Sequence, residues 1–281
     1  MRTAATAPDL RREIASLPRP LVLVPTMGAL HEGHLALVRR AREAAGDSGT
    51  VAVSIFVNPI QFDRPGDLAA YPKPLEDDLE KCRQAGVDLV FTPEAGSMYF
   101  PDRSITVTES LLSTHLCGAT RPGHFDGVCT VVLKLFNLFQ PDAAVFGEKD
   151  VQQLAILRRM VRDLDVPVEM IGYPTVRESD GLAMSSRNVR LSPEHRNDAP
   201  RIRRALEGAR SLLQFGERAA APFLAAARKH LEESPSLRID YLELVDAETL
   251  QPVGQIRKPA VLATAVFYGD VRLIDHVGLL P

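Results

Sequence analysis

Short apolar runs alternate with segments of helical period through roughly the first 175 residues, and few architectures accept that pattern. Leu21–Val24 is a β-rich run stopped by Pro25, Thr50–Asn58 is a second followed by Pro59, and Val87–Pro93 is a third. Two more runs, "AAVFGEKD" at Ala143–Asp150 and "VEMIGYPTV" at Val168–Val176, follow later. Between them lie helical patterns: Leu35, Val38, Ala41 and Ala45 recur on one face of a helix starting near His31, and Leu75–Gly86 ends at a glycine cap. Val151–Leu164 is a further helix. Asp126–Asp142 is apolar nearly all round, which fits either a core helix or an interface helix. Strands alternating with helices predict a parallel sheet covered on both faces, and ligands of such sheets bind outside the carboxyl ends of the strands.

The pattern changes after about residue 190. "PEHRNDAPRIRRALEGARSLLQFGE" and "AAPFLAAARKHLEES" read as two helices, and three strand-like segments then follow in succession, "RIDYLELVDAETLQPV", "PAVLATAVFYGD" and "VRLIDHVGL". This predicts a smaller α+β domain with antiparallel strands. The expected organisation is a Rossmann-like α/β domain over residues 1–176 and the α+β domain over residues 177–281.

Composition narrows the function classes. A net charge of −3 over 281 residues gives no electrostatic case for nucleic acid. No run approaches the roughly 18 apolar residues of a membrane span, and "MRTAATAPDLRREI" lacks an apolar signal core. The three cysteines, Cys82, Cys117 and Cys129, are scattered without Cys-x-x-Cys spacing. A cytoplasmic chain with free thiols is the expectation.

Chemistry gathers where the strands are expected to end. "PTMGALHEGH" places His31 and His34 three apart on the first turn of a helix, so both point the same way. Unpaired N–H groups and the positive end of the helix dipole there favour an anion, phosphate above all. The same pair could bind metal, but zinc would need a third ligand that the cysteine pattern does not supply. Asn58 and "GEKD" also fall after strands.

Five blocks carry a resemblance to a known family: "PTMGALHEGH", "FVNPIQF" (Phe56–Phe62), "TRPGHFDGVCTVVLKLF" (Thr120–Phe136), "FGEKDVQQ" (Phe146–Gln153) and "GLAMSSRN" (Gly181–Asn188). The first resembles the signature of the His-x-Gly-His nucleotidyltransferases. All five, in order across nearly the whole chain, resemble the pantothenate synthetases, the pantoate–β-alanine ligases. The resemblance implies condensation of (R)-pantoate with β-alanine, driven by ATP through a pantoyl adenylate, with release of AMP and pyrophosphate. It also implies Mg²⁺ and a homodimer formed through the larger domain, to which Val128–Phe139 could contribute. The other reading within the superfamily is a nucleotidyltransferase that keeps the nucleotide on its product.

Attack of a carboxylate on the α-phosphorus brings two anions together, so donors arranged around the triphosphate are the main device such chemistry needs. By resemblance the ATP site takes Met27, Gly28, Ala29, Leu30, His31, Glu32, Gly33 and His34, then Gly147, Glu148, Lys149 and Asp150, then Val176 and Met184, Ser185, Ser186 and Arg187. Gly28 and Gly33 would permit close backbone approach. His34 and His31 would donate to phosphates, with His34 the closer participant. Lys149 is a compact cation suited to phosphate, or a solvated surface lysine. Asp150 would sit near the ribose, or cap a helix. Two hydroxyls and a guanidinium at Ser185–Arg187 would clasp pyrophosphate. Val176 fits a backbone contact to adenine and an ordinary core position equally.

Gln153 resembles a pantoate contact and Gln61 a contact to pantoate and β-alanine, and a neutral amide can grip hydroxyls without trapping the reacting carboxylate. Asn58 is a further substrate candidate or a turn residue before proline. Arg121 and His124 would lie near phosphates or the β-alanine carboxylate, or anchor their loop. Asp77 is the candidate Mg²⁺ ligand, or stabilises a helix dipole.

Overall fold

Val22 and Val24 pack with Leu37, Val38 and Ala41 of the Glu32–Ala45 helix, so the first apolar run and the first helical stripe meet as their periods require. The computed structural model describes residues 1–281, and it places this contact at the centre of a six-stranded sheet. Its strands are β1 (Arg2–Ala4), β2 (Leu21–Thr26), β3 (Thr50–Ile55), β4 (Leu89–Phe91), β5 (Ala143–Gly147) and β6 (Glu169–Tyr173). They run in the order β1-β4-β3-β2-β5-β6, all parallel. The order reverses between β2 and β5, which makes the space beyond their carboxyl ends the topological switch point of the sheet.

Alternation along β4 shows both faces covered. Val90 joins the cluster beneath Glu32–Ala45, while the next residue, Phe91, meets Phe139 edge-on with ring centroids 5.8 Å apart. Phe139 closes the His124–Phe139 helix, whose Val128, Val132, Leu135 and Phe136 are buried within the single chain. This apolar helix is therefore a core helix.

Three details depart from the sequence expectation. The short edge strand β1, paired with β4, has too few residues to show a period. Strand β2 runs through Pro25 to Thr26, because pairing with β5 ends at Leu23 and leaves that side without a ladder for proline to interrupt. The first C-terminal helix is two, Pro193–Asp198 and Arg201–Arg210, separated where Pro200 removes a backbone donor.

The remaining strands, β7 (Leu237–Asp246), β8 (Ala260–Tyr268) and β9 (Val271–Leu279), form a separate antiparallel sheet with β8 central and buried throughout. Ile202 and Leu206 of one helix and Phe223 and Leu231 of Ala220–Glu232 pack with Leu262, Val266 and Leu273 in one core. By compactness the chain forms two units: residues 1–109, 123–148 and 156–174 hold the parallel sheet, and residues 110–122, 149–155 and 175–281 hold the antiparallel one. Segments 110–122 and 149–155 thus leave the expected residues 1–176. Their polar partners explain it: Leu116 N–H donates to Glu243 of β7 at 3.1 Å, and Gln152 Nε2 donates to the carbonyls of Leu112 and His115 at 2.8 Å each.

Candidate active site

The loop after β2 enters the Glu32–Ala45 helix through His31, whose Nδ1 accepts the Gly33 N–H at 3.1 Å. His34 replies, its Nδ1 accepting the His31 N–H at 3.3 Å. The pair is a reciprocal capping box built from imidazoles, with ring centroids 4.1 Å apart. An accepting nitrogen carries no proton, so a neutral ring here holds its proton on Nε2, and both imidazoles become Nε2–H donors.

One sequence expectation is corrected at this turn. The backbone N–H groups offered to an anion are largely engaged by the protein: those of His31 and Gly33 by the two rings, and those of His34 and Leu35 by the His31 carbonyl at 2.8 and 3.1 Å. The imidazoles, and not the amides, supply the donors of this helix start.

The amides just upstream are also spoken for. Asp78 accepts Ala29 N–H through Oδ2 and Leu30 N–H through Oδ1, both at 2.7 Å, and is 1% exposed. Burial pushes its carboxyl above the usual range, against the opposing pull of the two amides and of Lys81. A Cβ on Gly28 would stand 2.9 Å from Asp78 Oδ2, at a φ of +78°. Glycine at 28 therefore lets the carboxylate approach the loop. Gly28 N–H is itself held by Thr26 Oγ1 at 3.2 Å. Asp78 is a loop-holding residue that sequence reasoning missed, and it could have been found: it precedes buried Cys82 by four on its helix, whereas Asp77 precedes Lys81 by four. Asp77 is exposed and paired with Lys81 Nζ at 2.6 Å. Glu32 is exposed and ion-paired with Arg39.

The turn after β3 carries the second cluster. Asn58 is 1% exposed; its Nδ2 donates to Gln61 Oε1 at 2.8 Å and to the Gly127 carbonyl at 3.1 Å, and its Oδ1 accepts from Tyr99 Oη at 2.8 Å. With both Nδ2 bonds and one Oδ1 bond made to protein, Asn58 orients Gln61. Gln61 Nε2 reaches Met27 Sδ at 3.1 Å, tying this turn to the histidine loop. His124 Nδ1 bonds the Gln61 carbonyl at 2.7 Å, so its ring anchors the same turn. Gly127 is required here, because a Cβ would stand 2.5 Å from the Ile60 carbonyl and 2.7 Å from Gln61 Cα.

Strand β5 ends at Gly147, and Glu148, Lys149 and Asp150 form a 3₁₀ turn leading into Val151–Asp163. Gly147, Glu148 and Lys149 are half-buried and Asp150 is exposed. The parallel-sheet unit thus brings Met27–His34, Asn58, Gln61, His124, Gly147 and Glu148 to the ends of β2, β3 and β5 or the turns that follow them.

Arg121, Lys149, Asp150, Gln153, Val176 and Met184–Arg187 belong to the other unit. There Arg121 ends the short Leu116–Thr120 helix, which Cys117 and Thr120 fasten to Arg272 of β9 at 3.5 and 3.1 Å. Gln152 and not Gln153 is the buried residue of its pair, 4% exposed, and Gln153 is half-buried. Val176 opens a hairpin: its carbonyl accepts Met184 N–H at 3.0 Å, and Arg177 bridges Ala183. Ser185 Oγ accepts Arg187 N–H at 3.2 Å, folding the serine–arginine stretch into a turn.

The fold is that of the doubly wound α/β proteins, with an imidazole-capped helix at the switch point and a neutral amide beside it. A family model described as pantoate–β-alanine ligase matches residues 2–278. The chain belongs to the pantoate–β-alanine ligase family, and is an enzyme of that kind. It is 56% identical to a pantothenate synthetase of Akkermansia muciniphila over 99% of this chain and 100% of the relative, and 49% identical to that of Thermotoga petrophila over 98% and 99%. The crystal structure of pantothenate synthetase from Thermus thermophilus superposes with a TM-score of 0.93, at 48% identity and full coverage of both chains. A Francisella tularensis pantoate–β-alanine ligase, solved in complex with β,γ-ATP and β-alanine, matches with a TM-score of 0.76 at 30% identity, covering 99% of this chain and 97% of its own.

Proposed function

We propose that the chain joins (R)-pantoate to β-alanine in two steps: the pantoate carboxylate attacks the α-phosphorus of ATP to give pantoyl adenylate and pyrophosphate, and the β-alanine amine then displaces AMP. The observation that carries this reading is the pair of Nε2–H imidazoles fixed by mutual capping at the sheet's switch point. Rigid donors aimed at a leaving pyrophosphate need no reorganisation as charge develops, and that is where electrostatic catalysis acts. The Francisella relative, solved with β,γ-ATP and β-alanine, supports ATP and β-alanine as substrates.

His34 and His31 donate to the phosphates in this reading, Lys149 adds a cation, and Ser185, Ser186 and Arg187 take the pyrophosphate as the smaller domain closes over the nucleotide. Gly147, Glu148, Asp150, Val176 and Met184 line the nucleotide. Gln61 and Gln153 hold pantoate, and Arg121 serves an anionic group of a substrate. No three His, Cys, Asp or Glu side chains cluster as a metal cage, which fits a Mg²⁺ held mainly by phosphate and water with one carboxylate, Asp77, added. That ion would neutralise triphosphate charge. A homodimer and a cytoplasmic location complete the reading.

Isotope exchange between pyrophosphate and ATP tests it. Exchange that requires pantoate, with AMP released only when β-alanine is added, is expected. A product that retains the nucleotide would instead establish the other nucleotidyltransferase chemistry. Lys149→Ala is expected to slow exchange at least tenfold, about 1.4 kcal/mol of barrier.

A further inference from the structure

We propose that Asp275 and Arg177 are a positioning pair that sets the Ser185–Arg187 loop for its part in the reaction. This rests on the reading above that the loop grips phosphate.

Asp275 lies on β9, some ninety residues along the chain from the loop, and is 4% exposed. Its two oxygens take the two ends of the Arg177 guanidinium, Nη1 to Oδ2 at 2.7 Å and Nη2 to Oδ1 at 2.9 Å. Arg177 Nη1 also donates to the Gly181 carbonyl at 3.0 Å. Arg177 belongs to one side of the hairpin and Gly181 to its tip, so one guanidinium ties strand, tip and the C-terminal strand together. The hairpin hands that placement on: Arg177 bridges Ala183, the Ala183 carbonyl accepts Asn188 Nδ2 at 3.1 Å, and Asn188 N–H returns to the Ser185 carbonyl at 3.0 Å. Four bonded links therefore separate β9 from the serines.

Stability alone is a poor account of such a pair. Two charges withdrawn from water regain little beyond what a well-packed apolar pair of similar volume would give. What the fork-to-fork geometry adds is a single orientation. The surroundings make the carboxylate harder to replace. Arg203 donates to the His276 carbonyl at 3.3 Å, and its stem lies 3.7 Å from where a Gly181 Cβ would stand. Burial and the nearby Arg177 charge hold the Arg203 guanidinium below its usual range, opposed first by its ion-pair partner Glu207 and then by Asp275. Asp275 is thus the buried partner of Arg177, and its charge also reaches the Arg203–Glu207 pair beside the tip.

The test uses the full-length enzyme. Asp275→Asn keeps the shape but not the charge, Arg177→Lys keeps the charge but not the fork, and Arg187→Ala reports on the loop itself. Pantoate-dependent pyrophosphate–ATP exchange should fall about ten- to hundredfold in Asp275→Asn, the scale of a misplaced reacting group, and less in Arg177→Lys. KM for β-alanine, and the single-turnover rate of preformed pantoyl adenylate with β-alanine, should stay within about twofold, because that step forms no pyrophosphate. A uniform fall in both steps would mark a merely structural role and overturn the proposal. Exchange lost in Arg187→Ala but kept in Asp275→Asn would overturn the positioning pair alone, whereas exchange kept in Arg187→Ala would remove the loop's phosphate role and this proposal with it. If Asp275→Asn does not fold, Arg177→Lys is judged by the same split between the two steps.

Discussion

The imidazoles of His31 and His34 each hold a backbone N–H of their shared turn through Nδ1, so the rings that cap the helix are the same two proposed to meet the phosphates. Stability and activity can nevertheless be separated. His31→Ala should cost about 0.5–2 kcal/mol as a lost cap. His31→Asn, a good capping residue, should restore melting while leaving pyrophosphate–ATP exchange at least tenfold below wild type, a barrier change of about 1.4 kcal/mol. His34→Ala should show the larger loss of exchange. Wild-type exchange in His31→Asn would remove that ring from the chemistry.

If the loop after β2 holds ATP as proposed, Asp78 should affect ATP binding although its side chain is fully enclosed. Asp78→Ala leaves the buried Leu30 amide without its acceptor, at about 1–3 kcal/mol, and the half-buried Ala29 amide without its own at a smaller cost. Asp78→Asn can accept one of the two and must point an N–H at the other. Both variants should raise KM for ATP more than KM for β-alanine, read by steady-state kinetics alongside melting. Equal changes in the two constants would count against the assignment.

Gly127→Ala should damage the amide cluster through its backbone and leave the amide groups themselves intact. The added methyl would meet the Ile60 carbonyl at 2.5 Å, backbone against backbone, so the helix or the Pro59–Gln61 turn has to shift. Overpacking of this kind costs about 1–3 kcal/mol. A raised KM for pantoate should accompany the lower melting temperature, and a variant that melts early with unchanged pantoate affinity would detach Gln61 from that substrate.

A pH-dependent contribution is expected from Asp180, near the hairpin tip. The hydrogen bond from Arg196 at 2.6 Å holds its carboxyl below the usual carboxylate range, against a small opposing effect of burial. A carboxyl depressed in the folded state adds stability that is complete above the unfolded pKa and fades as pH falls through the folded one. The melting difference between wild type and Asp180→Asn should therefore be present in full at neutral pH, begin to shrink below about pH 4, and be lost as pH falls further through the folded-state value. Both side chains are about one-third exposed, so the difference should not exceed roughly 2–4 °C. A difference that grows in acid would contradict the assignment.

Much of the architecture was legible because burial writes a period into the chain. The runs that became β2, β3 and β5 and the stripe Leu35–Ala45 could be placed from spacing alone. The edge strand β1 could not, since three residues carry no period, nor could the membership of segments 110–122 and 149–155, which is decided by side chains such as Glu243 and Gln152 far away in sequence. Histidines, glutamines and the serine–arginine stretch stood out by residue type. What residue type concealed was division of labour: Asn58 is bonded to Gln61, Tyr99 and Gly127, while Asp78, adjacent to the more conspicuous Asp77, secures the loop.

The detour of residues 110–122 bears on how the chain can be cut. A gene fragment ending at residue 176 would retain the entire parallel sheet, yet strand the Leu116 amide without Glu243, Cys117 without Tyr241, and Thr120 without Arg272. Truncation at the apparent seam should thus yield an aggregating polypeptide, and dissecting this enzyme into separately expressed halves would require supplying that thirteen-residue piece to the C-terminal partner.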